Sequence, residues 1–346
     1  LNLWKGFAVE PDRDASCDRL LRHLREVICR NDEAAYRWVL GWLAHMVQKP
    51  WEKPGSALVL RGKKGAGKDT LGYYVGAIFP QNHTVVHERE HFLGRFNFHL
   101  ARTLLLQVEE GFWAGDKNAE GKIKSIITSP SVLIEPKGVT PFKIDSFLRV
   151  LISSNEDWVV PATPGERRFC VLNVSDVKRK QPNWFRPIYE EMENGGPAAL
   201  LHFLLNFDIS DFDPRNPPKT EGLANQISVG LRGVPRWWLE CLEAGEIVGL
   251  VFSDEDEEAR NWREEEIQPL RQDLMEAYHA WLRHRRYDGE RLTPSQFGLA
   301  IRELLPDKKQ RGQRRAGRYY RIACLDECRE YFERAILGGP HPWPDD

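Results

Sequence analysis

Long apolar runs are missing from this sequence, and so is any large excess of charge. No uninterrupted apolar run approaches the roughly 20 residues of a membrane span, and no signal peptide opens the chain. The formal net charge is only -2, so a nucleic-acid partner must be argued from local basic patches and not from the overall balance. We expect a cytoplasmic protein that has no membrane partner.

Cysteine is scarce and scattered through the chain. Six cysteines occur in 346 residues, and none belongs to a C-x-x-C pair, which argues against a disulfide framework and against a thiolate zinc site. An initial methionine is also absent, because the chain begins with Leu1, and we expect a fragment of a longer protein. The composition is otherwise that of a globular protein, with 41% hydrophobic residues and a length sufficient for two or three domains.

A glycine-rich loop that ends in lysine is the most informative stretch of the chain. It follows a short apolar run, Ala57 to Leu60, and matches the pattern G-x-x-x-x-G-K through Gly62, Gly67 and Lys68. In such a loop, backbone N–H groups wrap a triphosphate and the lysine reaches its outer phosphates. The predicted nucleotide-binding residues are Gly62, Lys63, Lys64, Gly65, Ala66, Gly67, Lys68, Asp69 and Thr70.

The loop departs from the usual pattern at the residue after its lysine. Asp69 stands where a serine or threonine hydroxyl normally contacts Mg²⁺, and Thr70 follows one position later. The metal ligand is therefore open between Thr70, a water held by Asp69, and a pair of glutamates further along the chain.

That glutamate pair ends the segment LLLQVEE. The leucines and Val108 predict a buried parallel strand, and Glu109 and Glu110 come at its carboxyl end, where a P-loop sheet meets its ligand. One carboxylate can hold Mg²⁺ directly or through water, and a second can polarise the attacking water. Among these open alternatives, Thr70 and Glu109 are the predicted metal ligands, and Glu110 is the residue predicted to orient the water.

Lysine is frequent between Gly115 and Lys143. The segment SVLIEPKGVTPFKI predicts a β-hairpin whose turn contains Lys137 and Gly138. Lysines on such a hairpin would contact phosphate backbones with little sequence readout. The predicted DNA-binding lysines are Lys122, Lys124, Lys137 and Lys143.

Two short motifs follow the hairpin. The apolar run FLRVLI leads to Asn155, an amide that can hold a lytic water or a γ-phosphate, although asparagine is also common in turns. The motif PGERRF contains Arg167 and Arg168. Their planar, charged forks suit the developing charge of phosphoryl transfer, including that on a neighbouring subunit's nucleotide.

In this order and spacing, the motifs resemble the superfamily 3 helicases of phages, satellites and plasmids. More narrowly, the chain resembles the helicase part of a phage or prophage primase-helicase over about residues 1 to 215. The resemblance implies an AAA+-like ATPase in a ring-shaped homohexamer, with ATP and Mg²⁺ between subunits. It also implies hairpins that move along single-stranded or forked DNA, a primase domain upstream, and a bacterial host.

The resemblance further implies a role for each matched residue. Lys68 would be the Walker A lysine, and Glu109 and Glu110 would be the Walker B pair. The other implied roles are the motif B prime lysine for Lys122, the hairpin lysine for Lys137, the sensor for Asn155, and the arginine finger for Arg167 or Arg168.

The remaining segments predict the fold around this ATPase. We expect an α/β fold, in which an AAA+-like parallel sheet with a P-loop has helices on both faces. Two segments with apolar residues at three-to-four spacing predict a helical collar over residues 1–56, ahead of the ATPase domain over residues 57–205. A stretch rich in proline and aspartate begins a linker and helical segment over residues 206–266, in which Trp237 and Trp238 are predicted to be core residues.

A winged-helix-like DNA-binding domain is predicted over residues 267–346. The sequence predicts two helices followed by a basic loop that leads into a strand. Thr293 is the predicted cap of the second helix, and Pro294 lies in its first turn. The predicted phosphate contacts are Lys308, Lys309, Arg311, Arg314, Arg315 and Arg318.

Two other functions fit part of the pattern. A nucleotide or metabolite kinase also uses a G-K-[GD]-T loop, but a kinase does not require the paired glutamates or a strand that ends in asparagine. A DNA-binding initiator or scaffold that uses ATP only to assemble would share every motif except the need for Glu110. Stimulation of ATP hydrolysis by DNA distinguishes a motor from both.

Overall fold

The computed structural model describes residues 3–110, 117–250, 262–285, 291–306, 311–314 and 317–344. The chain divides into two compact units, the first made of Leu1–Ala162 and Glu166–Gln226, the second of Thr163–Gly165 and Ile227–Asp346. The predicted four-part domain division remains a prediction. None of the described helices combines the length and the apolar character that a membrane crossing requires.

The first unit alternates helices and strands. In chain order its elements are α1 Asp18–His23, α2 Glu33–Gln48, β1 Ala57–Arg61, α3 Lys68–Gly76, β2 His83–Val86, α4 Arg89–Leu93, β3 Leu105–Glu109, α5 Lys117–Thr128, β4 Ser131–Ile134, β5 Phe142–Asp145, β6 Arg149–Ser154, β7 Phe169–Asn173, α6 Pro182–Glu193 and α7 Gly196–Leu205. A π-helical turn, Leu24–Ile28, continues α1.

Five parallel strands form the central sheet, in the order β2-β3-β6-β1-β7. The middle strands β1 and β6 are buried along almost their whole length, which explains why their sequences are continuous apolar runs and not alternating ones. The sheet with its flanking helices confirms the predicted α/β fold. Because all five strands are parallel, their carboxyl ends lie at one edge of the sheet and their amino ends at the other.

The predicted collar helices are present and pack against the sheet unit. The carboxylate of Asp32 caps α2 by accepting a hydrogen bond from the N–H of Ala35. The rings of Trp38 and Trp42, four residues apart on α2, stack with their centroids 6.5 Å apart and belong to the core that α2 shares with α7 and β1. Burial of this apolar face stabilises α2, as the three-to-four spacing predicts.

The stretch predicted as a linker packs against the collar through Phe212. Its ring lies 6.2 Å from the Trp38 ring, centroid to centroid. Gly41 makes this approach possible, because a Cβ atom at that position would lie 2.6 Å from the Phe212 ring. Residues 206–220 are therefore attached to the first unit at this point.

The second unit is mainly helical. The helix α8, Glu221–Gly230, spans the division between the units, and the later elements are α9 Val234–Ala244, α10 Arg271–His284, α11 Pro294–Arg302, β8 Arg311–Arg314, β9 Gly317–Tyr320 and α12 Leu325–Phe332. Trp237 and Trp238 are fully buried, which confirms them as core residues. Thr293 and Gln296 form a capping box at the start of α11, as Thr293 predicted.

Where the wing is predicted, β8 and β9 form an antiparallel pair of strands. Arg314 ends β8 opposite Gly317, and the exposed Arg318 lies in β9. Arg315 lies outside the described residues, as do Lys308 and Lys309. Assignment of the second unit to the winged helices remains a prediction.

One fully buried cation attaches the collar to the sheet. Arg149 begins β6 and is 0% exposed. Its Nη1 donates to the carbonyl oxygens of Pro50 (2.8 Å) and Phe147 (2.7 Å), and its Nη2 donates to that of Lys49 (2.8 Å). Burial lowers the pKa of Arg149 to about 9, a shift that the Glu52 carboxylate opposes. Because Lys49 caps the carboxyl end of α2, the Arg149 side chain satisfies a carbonyl group that the helix leaves without a partner.

We predict that Arg149→Met lowers the free energy of unfolding by about 3 kcal/mol, because three carbonyl oxygens lose their donor. Arg37→Met, at an exposed position of α2, is the matched control and should change stability by less than about 0.5 kcal/mol. Equilibrium unfolding in urea measures both. Equal stability of the two variants would contradict the structural role of Arg149.

Candidate nucleotide-binding site

The motifs predicted to act on a nucleotide meet at the carboxyl edge of the sheet. The loop from Gly62 follows β1, the glutamates end β3, and Asn155 follows β6, which lies between β1 and β3. The parallel register aligns Arg61 with Ser154 and Glu109 with Ser153. Three segments that are far apart in sequence thus end side by side.

The glycine-rich loop has the conformation that its glycines allow. Gly65 and Gly67 have φ angles of +82° and +85°, a region that other residues rarely adopt. The ammonium group of Lys68 lies inside the loop and donates to the carbonyl oxygens of Gly62 (2.8 Å) and Lys63 (3.1 Å). The residue is 7% exposed.

Burial lowers the pKa of Lys68, and the nearby charges of Asp69 and Glu110 oppose that shift. The helix α3 starts at Lys68 itself, so its free N–H groups and its dipole point toward the loop. A buried cation beside a helix N-terminus suits an anionic ligand such as phosphate.

The collar holds the loop through a histidine. His23 Nε2 lies 3.1 Å from the carbonyl oxygen of Gly67, and Trp184 Nε1 donates to His23 Nδ1 (3.0 Å). An Nδ1 that accepts leaves Nε2 as the donor to Gly67, which describes the neutral ring. Burial lowers the pKa of His23, in agreement with the neutral form.

A segment after β7 also contacts the loop, although no motif of the sequence predicts it. Lys63 Nζ lies 2.6 Å from a carboxylate oxygen of Asp176. Arg179 Nε donates to the Lys64 carbonyl oxygen (2.9 Å), and the N–H of Lys180 donates to that of Gly65 (3.3 Å). The contacts of Arg179 and Lys180 are to backbone oxygens of the loop, which any residue type would offer, so the sequence pattern does not predict them.

The two glutamates have different surroundings. Glu109 accepts a hydrogen bond from Gln107 Nε2 (2.8 Å) and lies 3.2 Å from His87 Nδ1, with its side chain only 14% exposed. Burial raises the pKa of Tyr73 to about 12, and a hydrogen bond to Glu109 adds to that shift. Glu110 is exposed and has a φ angle of +54° in the turn that follows β3. Glu109 is therefore held in one orientation, whereas Glu110 faces solvent at the edge of the site.

A buried glutamine links β3 to the loop helix. Gln107 is 0% exposed, and its amide oxygen lies 3.0 Å from His83 Nε2. Gly72 and Gly76 allow α3 to approach these side chains, because a Cβ atom would lie 2.1 Å from the Gln107 oxygen and 2.0 Å from the His83 ring, respectively. The spacing of four residues puts both glycines on one face of α3.

The residues after the loop lysine point in different directions. Ser153 Oγ donates a short hydrogen bond to Asp69 Oδ1, whereas the Thr70 hydroxyl lies 3.3 Å from the Tyr189 hydroxyl on α6. Glu109 and Ser153 are register partners on adjacent strands. Across the part of the chain that the structure describes, no three His, Cys, Asp or Glu side chains are grouped to hold a metal ion.

The predicted DNA-binding lysines differ in their surroundings. Lys137 is exposed in the turn between β4 and β5, where Gly138 has a φ angle of +75°. Lys143 is exposed on β5. Lys124 forms an ion pair with Glu120 (2.6 Å), and Lys122 donates to the Leu93 carbonyl oxygen (3.1 Å). The structure confirms the hairpin and leaves Lys137 and Lys143 open to solvent.

Aromatic residues surround a cavity of about 1170 Å³ at the base of the hairpin. They include the exposed side chains Trp51, Phe98, Phe142 and Phe147, and the cavity lining also contains the basic residues Arg102 and Lys143. Exposed aromatic and basic side chains together are the composition of grooves that bind single-stranded nucleic acid. No sequence pattern predicts this groove, because its residues come from separate segments.

The two arginines of PGERRF are not equivalent. Arg168 Nη1 lies 3.0 Å from Glu166 Oε1, and the Glu166 side chain is 0% exposed. Arg167 is exposed. Both precede β7, at the amino edge of the sheet, where the N–H of Ala57 donates to the Arg168 carbonyl oxygen (2.7 Å). The five residues of β1 separate them from the loop, which amounts to about 16 Å at 3.3 Å per residue.

Known proteins resemble the chain in sequence and in fold. The model of a family of unknown function, DUF5906, matches residues 60–168. The DNA primase-polymerase of Nitratiruptor phage NrS-1 is 27% identical over 158 residues, which are 45% of this chain and 22% of that protein. The matched part is thus a small portion of that relative's length.

Solved structures of the NrS-1 C-terminal region have a similar fold. The apo structure of residues 305–718 matches with a TM-score of 0.66 at 18% identity, over 94% of this chain and 78% of that one. A second apo form of the region gives a TM-score of 0.67, over 94% and 79%. These matches agree with the α/β architecture described above.

We predict that Gly67→Ala lowers the free energy of unfolding by about 3 kcal/mol, because the new Cβ combines an unfavourable φ angle with crowding. That Cβ would lie 2.5 Å from the Phe185 ring and 2.8 Å from the His23 ring. Gly138→Ala is the matched control, since Gly138 has a similar φ angle of +75° with nothing within 4 Å, and it should cost about 1 kcal/mol. Urea unfolding measures both losses of stability. Equal losses would show that crowding by the Phe185 and His23 rings does not add to the cost at Gly67.

Proposed function

We propose that this chain is the ATP-dependent DNA helicase part of a phage or related replication protein. It would hydrolyse ATP to move along single-stranded DNA and to unwind duplex. The observation that carries the proposal is the meeting of the loop, the glutamate pair and Asn155 at one edge of a parallel sheet. Similarity to a phage DNA primase-polymerase supports a role in replication.

ATP would lie with its phosphates in the loop. Lys68 and the N–H groups at the start of α3 would neutralise the phosphate charge. Mg²⁺ would be held by oxygen ligands from Glu109 and from Thr70 or Asp69, a donor set that suits this hard cation. When bound, the ion would supply positive charge to the β- and γ-phosphates.

Hydrolysis would be an in-line attack by water on the γ-phosphorus. As the new P–O bond forms, the bond to the bridging oxygen of ADP breaks, and the carboxylate of Glu110 accepts the proton of the water. Glu110 suits this role because it is exposed beside a fixed Glu109. Asn155 would orient the water or the γ-phosphate from the end of β6.

The site would be completed by Arg167 of a neighbouring copy. Arg167 is exposed, and it lies at the edge of the sheet opposite its own loop, too far to act there. Arg168, in contrast, is paired with Glu166. A head-to-tail interface would bring Arg167 of one copy to the loop of the next, and such an interface can close into a ring such as the predicted homohexamer.

DNA would follow the hairpin. Lys137 and Lys143 offer charges to the phosphate backbone, and the aromatic groove at the hairpin base offers faces on which bases can stack. Lys122 and Lys124 would contribute less directly, because both have protein partners. Arg314, Arg315 and Arg318 of the wing would add contacts to duplex phosphates. In the full-length protein we propose a primase domain upstream, as the name of the phage relative suggests.

The test of the function is ATP hydrolysis with and without single-stranded DNA. We expect DNA to stimulate turnover and Glu110→Gln to reduce the stimulated rate by about 100-fold or more, because the water loses its base. Glu193→Gln makes the same chemical change at an exposed position of α6 and should leave the rate unchanged. Turnover that is indifferent to DNA would overturn the motor and favour a kinase or a scaffold.

We predict that Arg167→Ala lowers ATP turnover by about 1,000-fold, because the transition state loses a cation. Lys68→Ala copies should be equally inactive. A mixture of the two variants should regain activity, since an interface with Lys68 from one copy and Arg167 from the other is complete.

If Arg167 had only a structural role, the mixture would not recover activity. Arg168→Ala is the companion variant, and it should reduce stability, because it leaves the buried Glu166 carboxylate unpaired. Failure of the mixture to recover activity would contradict a shared site.

A further inference from the structure

Asp69 and Thr70, both in the first turn of α3, are the two candidate metal ligands from the loop. The Asp69 side chain points in the more suitable direction. Successive residues of an α-helix point about 100° apart, so Asp69 and Thr70 cannot face the same group. Asp69 contacts Ser153 near the end of β6, and Ser153 is the register partner of Glu109. Thr70 is buried and faces Tyr189 on α6. Asp69 thus faces the same strand ends as the glutamate pair.

The negative charge of the Asp69 carboxylate affects which ligands the loop can bind. The ammonium group of Lys68 lies within the loop, and Asp69 is the next residue of α3. A negative side chain beside a phosphate site repels the phosphates unless a cation lies between them. Asp69 therefore opposes a bare nucleotide and favours a nucleotide that carries a divalent ion.

We propose that Asp69, with its carboxylate oriented by the Ser153 hydroxyl, is the loop residue that holds the Mg²⁺ of a bound nucleoside triphosphate. Thr70 is then a packing residue that pairs with Tyr189. This inference rests on the proposed function, because it requires the loop to bind a triphosphate. It assigns to an acid the role that a hydroxyl has in the usual pattern.

The absence of a preformed cage among the described residues fits this assignment. Those residues include no group of three acidic, histidine or cysteine side chains arranged for a metal. Mg²⁺ is typically bound through one or two carboxylates, with the phosphates of the substrate and water completing its coordination. Asp69 and Glu109 can supply those carboxylates, and the nucleotide must supply the rest. The ion and the nucleotide should therefore depend on each other for binding.

The test compares nucleotide affinity with and without the ion. Binding of a fluorescent, non-hydrolysable ATP analogue is titrated in Mg²⁺ and in EDTA for the unaltered protein, Asp69→Asn and Thr70→Val. Asp69→Asn keeps the size of the side chain and an oxygen that can accept from Ser153, so we expect it to fold. Urea unfolding of each variant checks this.

We expect the unaltered protein to bind the analogue about 100-fold more tightly in Mg²⁺ than in EDTA, because the ion removes the repulsion from Asp69. In Asp69→Asn the ratio should fall to less than about 10-fold, with tighter binding in EDTA and weaker binding in Mg²⁺. Thr70→Val should keep the ratio of the unaltered protein.

Two results overturn the inference while leaving the proposed function intact. One is an unchanged ratio in Asp69→Asn, and the other is a ratio that collapses in Thr70→Val. A third result overturns both: no binding by the unaltered protein in either buffer removes the nucleotide site itself. This last result is seen in the unaltered protein, whereas the first two require a variant. Failure of the proposed function is therefore distinguishable from failure of the Asp69 assignment.

Discussion

The parallel hydrogen-bond ladder of β3, β6 and β1 is the constraint on which the candidate site depends. It aligns Glu109 with Ser153 and Arg61 with Ser154, and so brings three polar strand ends together. A slip of one residue would turn each side chain to the other face of the sheet, which would separate Glu109 from the loop helix. The buried apolar strands prevent such a slip, because it would also move their side chains out of the core.

The two edges of this sheet have different kinds of residues. The carboxyl edge holds the glycine-rich loop and the glutamates, whereas the amino edge holds Arg149, Arg167 and Arg168. One of these three cations is buried against carbonyl groups, another is paired with a carboxylate, and Arg167 is exposed. A parallel sheet has two distinct edges, and the position of Arg167 on the edge opposite the loop is the reason for proposing a site completed by a second copy.

The glycine-rich loop is held by residues that come before it and by residues that come after it in the sequence. The neutral His23 from the collar and the segment after β7 contact its backbone. Such contacts position the loop, which would reduce the ordering cost of binding the proposed ligand. The glycine face of α3 has a related effect, because it lets Gln107 reach both His83 and Glu109.

Local features of the sequence determined much of this protein. The glycine pattern predicted the loop, the apolar runs predicted the buried strands, the three-to-four spacing predicted the collar helices, and Thr293 predicted a helix start. Each of these depends on neighbours within a few residues, where backbone preference and periodicity act directly. Only the tertiary structure decided which side chains meet: Ser153 with Asp69, Glu166 with Arg168, and Arg149 with the end of α2. Except for the Glu166 pair, these contacts join segments that are tens of residues apart, so they depend on the order of the strands and on the register between them. Glu166 is close in sequence to both Arg167 and Arg168, so the sequence does not show which arginine it pairs with. The fold decides this, because the buried Glu166 carboxylate contacts Arg168 and leaves Arg167 exposed.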